Sequence, residues 1–153
     1  MTTHTHIDEL KLDTIYCIDC LEGMKKLDDF EIDLVVTDPP YGISTCKTGT
    51  FGRGTLAKPK KYIPVDWDNE PIKKEYFDEI FRISKNQIIF GGNYYINYLY
   101  NSSCWIIWDK NSSNNFADCE LAWTSFNIST KKFTWKWRGM LQGDMKHKEK
   151  RYH

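Results

Sequence analysis

The apolar residues of this chain fall into short runs separated by polar segments, and the spacing inside each run predicts an element. Ile32-Asp33-Leu34-Val35-Val36-Thr37 is apolar apart from one acid and reads as a strand buried in a sheet. Thr14-Ile15-Tyr16-Cys17-Ile18 reads as a shorter strand. Asp19 follows it, and Leu21, Met24 and Leu27 then recur at helical spacing. Residues 42–66 hold Gly, Thr and Lys with no sustained period, which predicts a long mobile loop. Pro71 suits the first turn of a helix whose apolar face is Tyr76, Phe77, Ile80, Phe81 and Ile83. Residues 87–90 predict a strand ending in Gly91-Gly92-Asn93, and residues 94–100 a short helix. Residues 104–108 and 121–126 predict two more strands, and residues 133–137 a half-exposed one.

The opening order of strand, helix, strand, loop, helix, strand argues for an α/β fold with a largely parallel sheet covered by helices. The later strands have no helices between them, which predicts antiparallel pairing there. Ligands of open α/β sheets bind beyond the carboxyl ends of the strands. Asp19, Asp38 to Tyr41, and Gly91 to Asn93 all fall at such ends.

Length and composition narrow the class. The 153 residues make one domain, long enough for a core. No apolar run nears the roughly 18 residues that span a bilayer, and Met1 to His6 lacks the apolar stretch of a signal peptide. A cytoplasmic protein with no membrane partner is expected. The five cysteines are an odd number, so reduced thiols are expected. Cys17 and Cys20 form a C-x-x-C pair without a second pair to complete a zinc site, and no metal is expected. Gly49-Thr50-Phe51-Gly52-Arg53-Gly54 is glycine-rich, but no buried strand precedes it, so it reads as loop rather than phosphate cradle. Net charge is zero, yet it is unevenly spread. Met1 to Asp38 carries ten acids against three Lys/Arg, whereas Lys131 to Arg151 carries eight Lys/Arg against two acids. The basic stretch includes Trp135 and Trp137, a composition that suits a phosphate backbone or a solvated strand pair with a basic tail.

The residues Asp38-Pro39-Pro40-Tyr41 carry the most chemistry. The carboxylate accepts a hydrogen bond from an exocyclic amine. The prolines lack N–H groups and leave a carbonyl to accept a second one. Tyr41 offers a flat face to a base. This run resembles the catalytic motif of amino-methyltransferases that act on adenine in DNA, whose amine is a poor nucleophile because its lone pair is delocalised into the ring. Two acceptors, Asp38 and the Pro39 carbonyl, favour the pyramidal nitrogen of a methyl-transfer transition state by charge and dipole placement. Positioning against the donor supplies much of the remaining rate. A base in a duplex must flip out to reach such a turn. The alternative is a plain strand-ending turn whose tyrosine packs.

The resemblance extends over essentially the whole chain. Asp19-Cys20-Leu21-Glu22, Asp33 to Gly42, Ile88 to Tyr94, Trp105 to Lys110, Asn115 to Thr124 and Glu149 to His153 together resemble DNA adenine-N6 methyltransferases of the phage and restriction–modification type. The resemblance implies an incomplete Rossmann-like sheet with helices on both faces and antiparallel later strands, forming one catalytic domain over residues 1–153. It implies Asp38, Pro39, Pro40 and Tyr41 as catalytic residues, and S-adenosylmethionine as cofactor held by Asp19, Cys20 and Asp38. It also implies double-stranded DNA as partner. Lys58, Lys60 and Lys61 in the loop, and Lys132, Lys136 and Arg138 in the basic stretch, are the expected phosphate contacts. Family members carry a glycine-rich cofactor loop beyond the segment that starts at Glu149, and this sequence stops at His153. The cofactor site and sheet are therefore expected to be incomplete and the chain alone inactive. Residues 14–18 are expected to pair with the Asp38 strand, detach, or pair with a second chain, so self-association or a complementing chain is a further expectation. The alternatives are a non-catalytic nucleic-acid-binding remnant and an N4-cytosine or RNA amino-methyltransferase. Asp118 and Glu120 are undecided between supporting the site and a strand edge.

Overall fold

The structure, a computed structural model, describes residues 10–42, 50–51, 60–61, 70–111, 117–138 and 141–147. Its centre is a five-stranded sheet made of β1 (Ile32–Thr37), β4 (Ser84–Phe90), β5 (Trp105–Asp109), β6 (Cys119–Thr124) and β7 (Lys131–Thr134), in the order β1-β4-β6-β5-β7. β1 and β4 run parallel, with Val35 opposite Gln87 and Thr37 opposite Ile89. β6 is antiparallel to both β4 and β5 and places Trp123 between Ile89 and Trp105. The fold is thus α/β with a mixed sheet.

One face of the sheet is closed by α2 (Lys74–Ile83), whose buried side presents Phe77, Ile80 and Ile83 at helical spacing. Phe77, Ile89, Tyr95 and Trp123 form the core, with Tyr41, Ile72, Phe81, Leu99 and Trp105 packed around it. The short helix α1 (Cys20–Met24) lies alongside α2. Arg82 joins the two by donating to the carbonyls of Met24 and Leu27 at 2.9 and 2.8 Å while pairing with Glu79 at 2.7 Å and Asp29 at 2.9 Å. The guanidinium fork thereby caps the exit of α1 and the turn into β1 together.

Several expectations are corrected. Residues 14–18 form no strand: Ile15 is 99% exposed and Leu12 94%. The segment does not pair with the Asp38 strand within this chain; Tyr16 accepts the Lys11 N–H and Ile18 turns toward Gly23 instead. Among the described residues β1 has only β4 beside it. α1 ends at Met24 rather than Leu27. Pro71 does not open α2 but bridges Tyr41 ahead of it. The helix expected over 94–100 is a single 3-10 turn, Gly92–Tyr94, followed by turns. The later strands are not all antiparallel, since β7 runs parallel to β5. The strand expected over 133–137 divides. β7 ends at Thr134, and β8 (Trp137–Arg138) pairs instead with β9 (Leu141–Gln142). Helices on both faces were expected, but the two described helices sit side by side, and Leu34 and Val36 on the opposite side of β1 are exposed. Of the loop 42–66, only Gly42 and the antiparallel pair β2 (Thr50–Phe51) and β3 (Lys60–Lys61) are described. No helix among the described residues is long and apolar enough to cross a membrane.

Candidate functional site

β1 stops where its sequence loses backbone donors. Pro39 and Pro40 lack N–H groups and cannot extend the ladder to β4, so Asp38 is left exposed at the carboxyl rim of the sheet while Pro39 is buried beneath it. Tyr95, almost wholly buried in the core, donates its hydroxyl to the carbonyls of Pro40 and of Pro39, the latter at 3.2 Å. The turn is therefore bolted to the core. The Pro39 carbonyl, expected to be open to a ligand, already accepts this bond, and one lone pair remains to it.

Tyr41 folds back over the turn, and its hydroxyl donates to the Asp38 carboxylate. Two glycines make room for this. Gly42 has φ +73°, and a Cβ there would stand 2.5 Å from Pro71. Gly91, with φ +64°, lies so close under the ring that a Cβ would come within 2.1 Å of Tyr41 Cε1. Both adopt the left-handed backbone that glycine accepts without strain. Tyr94 then stacks on Tyr41 with centroids 4.6 Å apart and 16° between planes, and Tyr95 tilts against it at 6.2 Å. Desolvation, and after it the hydrogen bond to the Asp38 carboxylate, push the Tyr41 phenol far above its ordinary pKa. Tyr41 is thus a fixed donor and Asp38 a fixed acceptor.

Asp19 occupies a second position at the same rim. It caps α1 by accepting the Leu21 N–H at 2.7 Å, and its other oxygen accepts the Tyr76 hydroxyl at 3.1 Å. Tyr76 lies in the first turn of α2, shortly after Pro71 meets Tyr41, and this brings Asp19 to the end of the sheet that holds Asp38. Cys20 beside it has its thiol pKa raised by desolvation and by the Asp19 charge, so it is no thiolate nucleophile. The Asp19 carboxylate retains acceptor capacity for a pair of sugar hydroxyls. Among the described residues no group of three or more His, Cys, Asp or Glu suits a metal ion.

Of the expected phosphate contacts, Lys132 is placed apart from the turn. Lys58 lies outside the described residues, and Lys60 and Lys61 are described only as the backbone of β3. Lys132 is exposed on β7 but paired with Asp109 at 2.7 Å. Lys136 is exposed just beyond it, and Arg138 is described only as backbone in β8. β7 stands four strand intervals from β1, which at the usual spacing is about 19 Å. The structure therefore joins Asp38, Pro39, Pro40, Tyr41 and Gly91 in one site, sets Asp19 and Cys20 at the same rim, and leaves Lys132 on the far edge strand of the sheet.

Three residues of this rim escaped the sequence reading as site members, Tyr76, Tyr94 and Tyr95, and a fourth, Glu120, was left undecided. Glu120 pairs with Lys110 on β5's exit, and its charge adds to those that raise the Tyr41 phenol pKa. Asp118 is exposed, and only its carbonyl is engaged, by the Lys110 N–H at 3.1 Å. Tyr94 and Tyr95 carried one usable signal, an aromatic pair one residue beyond a glycine pair at a strand end. No family model matches the chain, and comparison with curated proteins finds no relative.

Proposed function

We propose that this chain carries the target-base site of an S-adenosylmethionine-dependent methyltransferase acting on adenine N6 in DNA, in a Rossmann-like framework. The observation that supports it most directly is the exposed Asp38 carboxylate, held beside an aromatic ring on a turn that Tyr95 ties to the core. An amine entering the turn exchanges its N–H for the Tyr41 hydroxyl at Asp38 and meets the remaining lone pair of the Pro39 carbonyl. Both acceptors are fixed before the base arrives, so little reorganisation accompanies charge development on nitrogen. Asp19, with Tyr76 orienting its carboxylate, fits the ribose of the cofactor. The cofactor when bound supplies the electrophilic methyl, and the chain's residues orient the acceptor amine.

The test is transfer of labelled methyl from S-adenosylmethionine to adenine-containing DNA by a form of the protein in which the cofactor site is completed, with Asp38→Ala alongside. Transfer that vanishes in the variant while cofactor affinity stays within a few fold supports the role of Asp38; near-normal turnover rejects it. The runner-up reading, a nucleic-acid-binding module without catalysis, is favoured by the exposed Lys131, Phe133, Trp135 and Lys136. Calorimetric titration with S-adenosylmethionine separates the two: the enzyme binds it, the module does not.

A further inference from the structure

Tyr94 is 53% exposed, yet its ring lies flat on Tyr41. The two rings are held very differently. Tyr41 is fixed on every side: its hydroxyl by Asp38, its backbone by Pro71, its edge by Gly91 and its flank by Tyr95. Tyr94 is fixed only through its backbone. Its N–H donates to the Gly91 carbonyl at 2.9 Å, the next N–H donates to Gly92 at 3.0 Å, and Tyr95 is buried. Among the described residues the Tyr94 hydroxyl has no hydrogen-bond partner. Side-chain rotation therefore frees the Tyr94 ring without moving the loop, whereas Tyr41 cannot leave without breaking the turn.

Resting on the function proposed above, we infer that Tyr94 is a place-holder: in the free protein it fills the stacking face of Tyr41 that a purine base takes up, and it swings out when the base enters. The chemistry of exchange is matched. A purine offers a flat ring for the Tyr94 ring, and adenine adds an N–H that replaces the Tyr41 hydroxyl at Asp38. An aromatic pair of this kind is worth roughly a twofold to tenfold factor in an equilibrium. Tyr94 thus sets a threshold that a weakly stacking pyrimidine crosses less readily than a purine.

The probe is a short single-stranded oligonucleotide with one 2-aminopurine, whose fluorescence is quenched on stacking, titrated at salt high enough to suppress phosphate contacts. Tyr94→Ala is expected to bind it roughly twofold to tenfold more tightly than the parent protein, with Tyr94→Phe restoring the weaker binding because it keeps the ring. Unchanged or weaker binding by Tyr94→Ala, with quenching intact in the parent, overturns the place-holder and leaves the base site standing. Absence of quenching in the parent overturns both. A second readout needs no ligand: in the free protein Tyr94→Ala should move the Tyr41 ring-proton resonances downfield as the stacked ring is removed. Resonances that do not move show that the pair is not formed in solution and reject the inference. Superimposable far-ultraviolet circular dichroism identifies variants that remain folded.

Discussion

Asp38 and Tyr41 divide their work by which atoms each can offer. The carboxylate is acceptor only, and the phenol is held as donor by its raised pKa. Tyr41→Phe removes a hydroxyl that the incoming amine displaces in any case, so affinity for an extrahelical base is expected within a few fold of the parent. Tyr41→Ala removes the stacking surface and should cost about 1–3 kcal/mol of base binding. Fluorescence titration with a 2-aminopurine oligonucleotide measures both, and equal losses would shift the role from the ring to the hydroxyl. Tyr95→Phe tests the anchor beneath. It strips the buried donor from the Pro39 and Pro40 carbonyls, and about 1–3 kcal/mol of stability should go with it. Urea denaturation reads that loss; an unchanged midpoint would show the turn standing without its bolt. Asp38 and Tyr41 were legible in the sequence because their chemistry depends on neighbours in the chain. Tyr95 was not, because its partners lie more than fifty residues away and only the fold brings them together.

At the scale of elements, α2 and the Gly91-Gly92 turn position the site. Phe77 is fully buried between α2 and the sheet, and Phe77→Ala should destabilise the fold by about 3–5 kcal/mol through lost transfer energy and a residual cavity. Gly91→Ala is a different kind of change. It forces a left-handed residue, costing about 1–2 kcal/mol, and drives a methyl into the Tyr41 ring. The expected result is displacement of Tyr41 from Tyr94, seen as loss of near-ultraviolet tyrosine ellipticity with the far-ultraviolet spectrum kept. An unaltered near-ultraviolet spectrum would mean that the ring sits elsewhere. Periodicity and apolar runs found β1, α2, β4, β5 and β6; α2 buries Phe77, Ile80 and Ile83 at helical spacing, whereas β1 and β5 hold no fully buried residue. They misassigned residues 14–18, whose apolar pattern is as strand-like as that of β1, because a strand exists only where a neighbouring strand takes up its hydrogen bonds.

Among the described residues the two edge strands of the sheet differ in charge, β1 carrying Asp33 and leading into Asp38 while β7 carries Lys131 and Lys132. DNA affinity is therefore expected to fall with salt, and Lys136→Glu should flatten the slope by about one phosphate contact. Lys132→Glu should do less to the free charge available, since Asp109 already neutralises Lys132. A slope that ignores Lys136 would move the interface away from this edge. Stability should narrow at both ends of the pH range. The carboxyls of Asp33, Glu79, Asp109 and Asp144 are held below their ordinary values, mainly by hydrogen bonds from Lys85, Arg82, Lys132 and His147. In acid the unfolded chain binds their protons first, so the stability they supply is present above about pH 4 and lost as pH falls through their depressed values. The phenols of Tyr41, Tyr76 and Tyr100 are raised, chiefly by desolvation. Here the unfolded chain ionises first, so stability is kept below about pH 10 and lost as pH rises toward the folded values. Urea midpoints across pH test the pattern, and a midpoint that rises in acid would contradict it.

Local chemistry was enough to place an acid, two prolines and a tyrosine at the end of a strand, because a proline pair ends a ladder wherever it occurs; the burial expected of that strand is not found, since Leu34 and Val36 are exposed. The α/β class followed from element order in the same way. What the tertiary structure decided are the relations between distant segments. It set β6 between β4 and β5, turned β7 parallel to β5, and left residues 14–18 outside the sheet. It also brought Gly91, Tyr94 and Tyr95 onto Tyr41 from fifty residues away, and joined Tyr76 to Asp19. Strand pairing and ring stacking depend on which surfaces meet, and a one-dimensional pattern carries only which surfaces each segment has to offer.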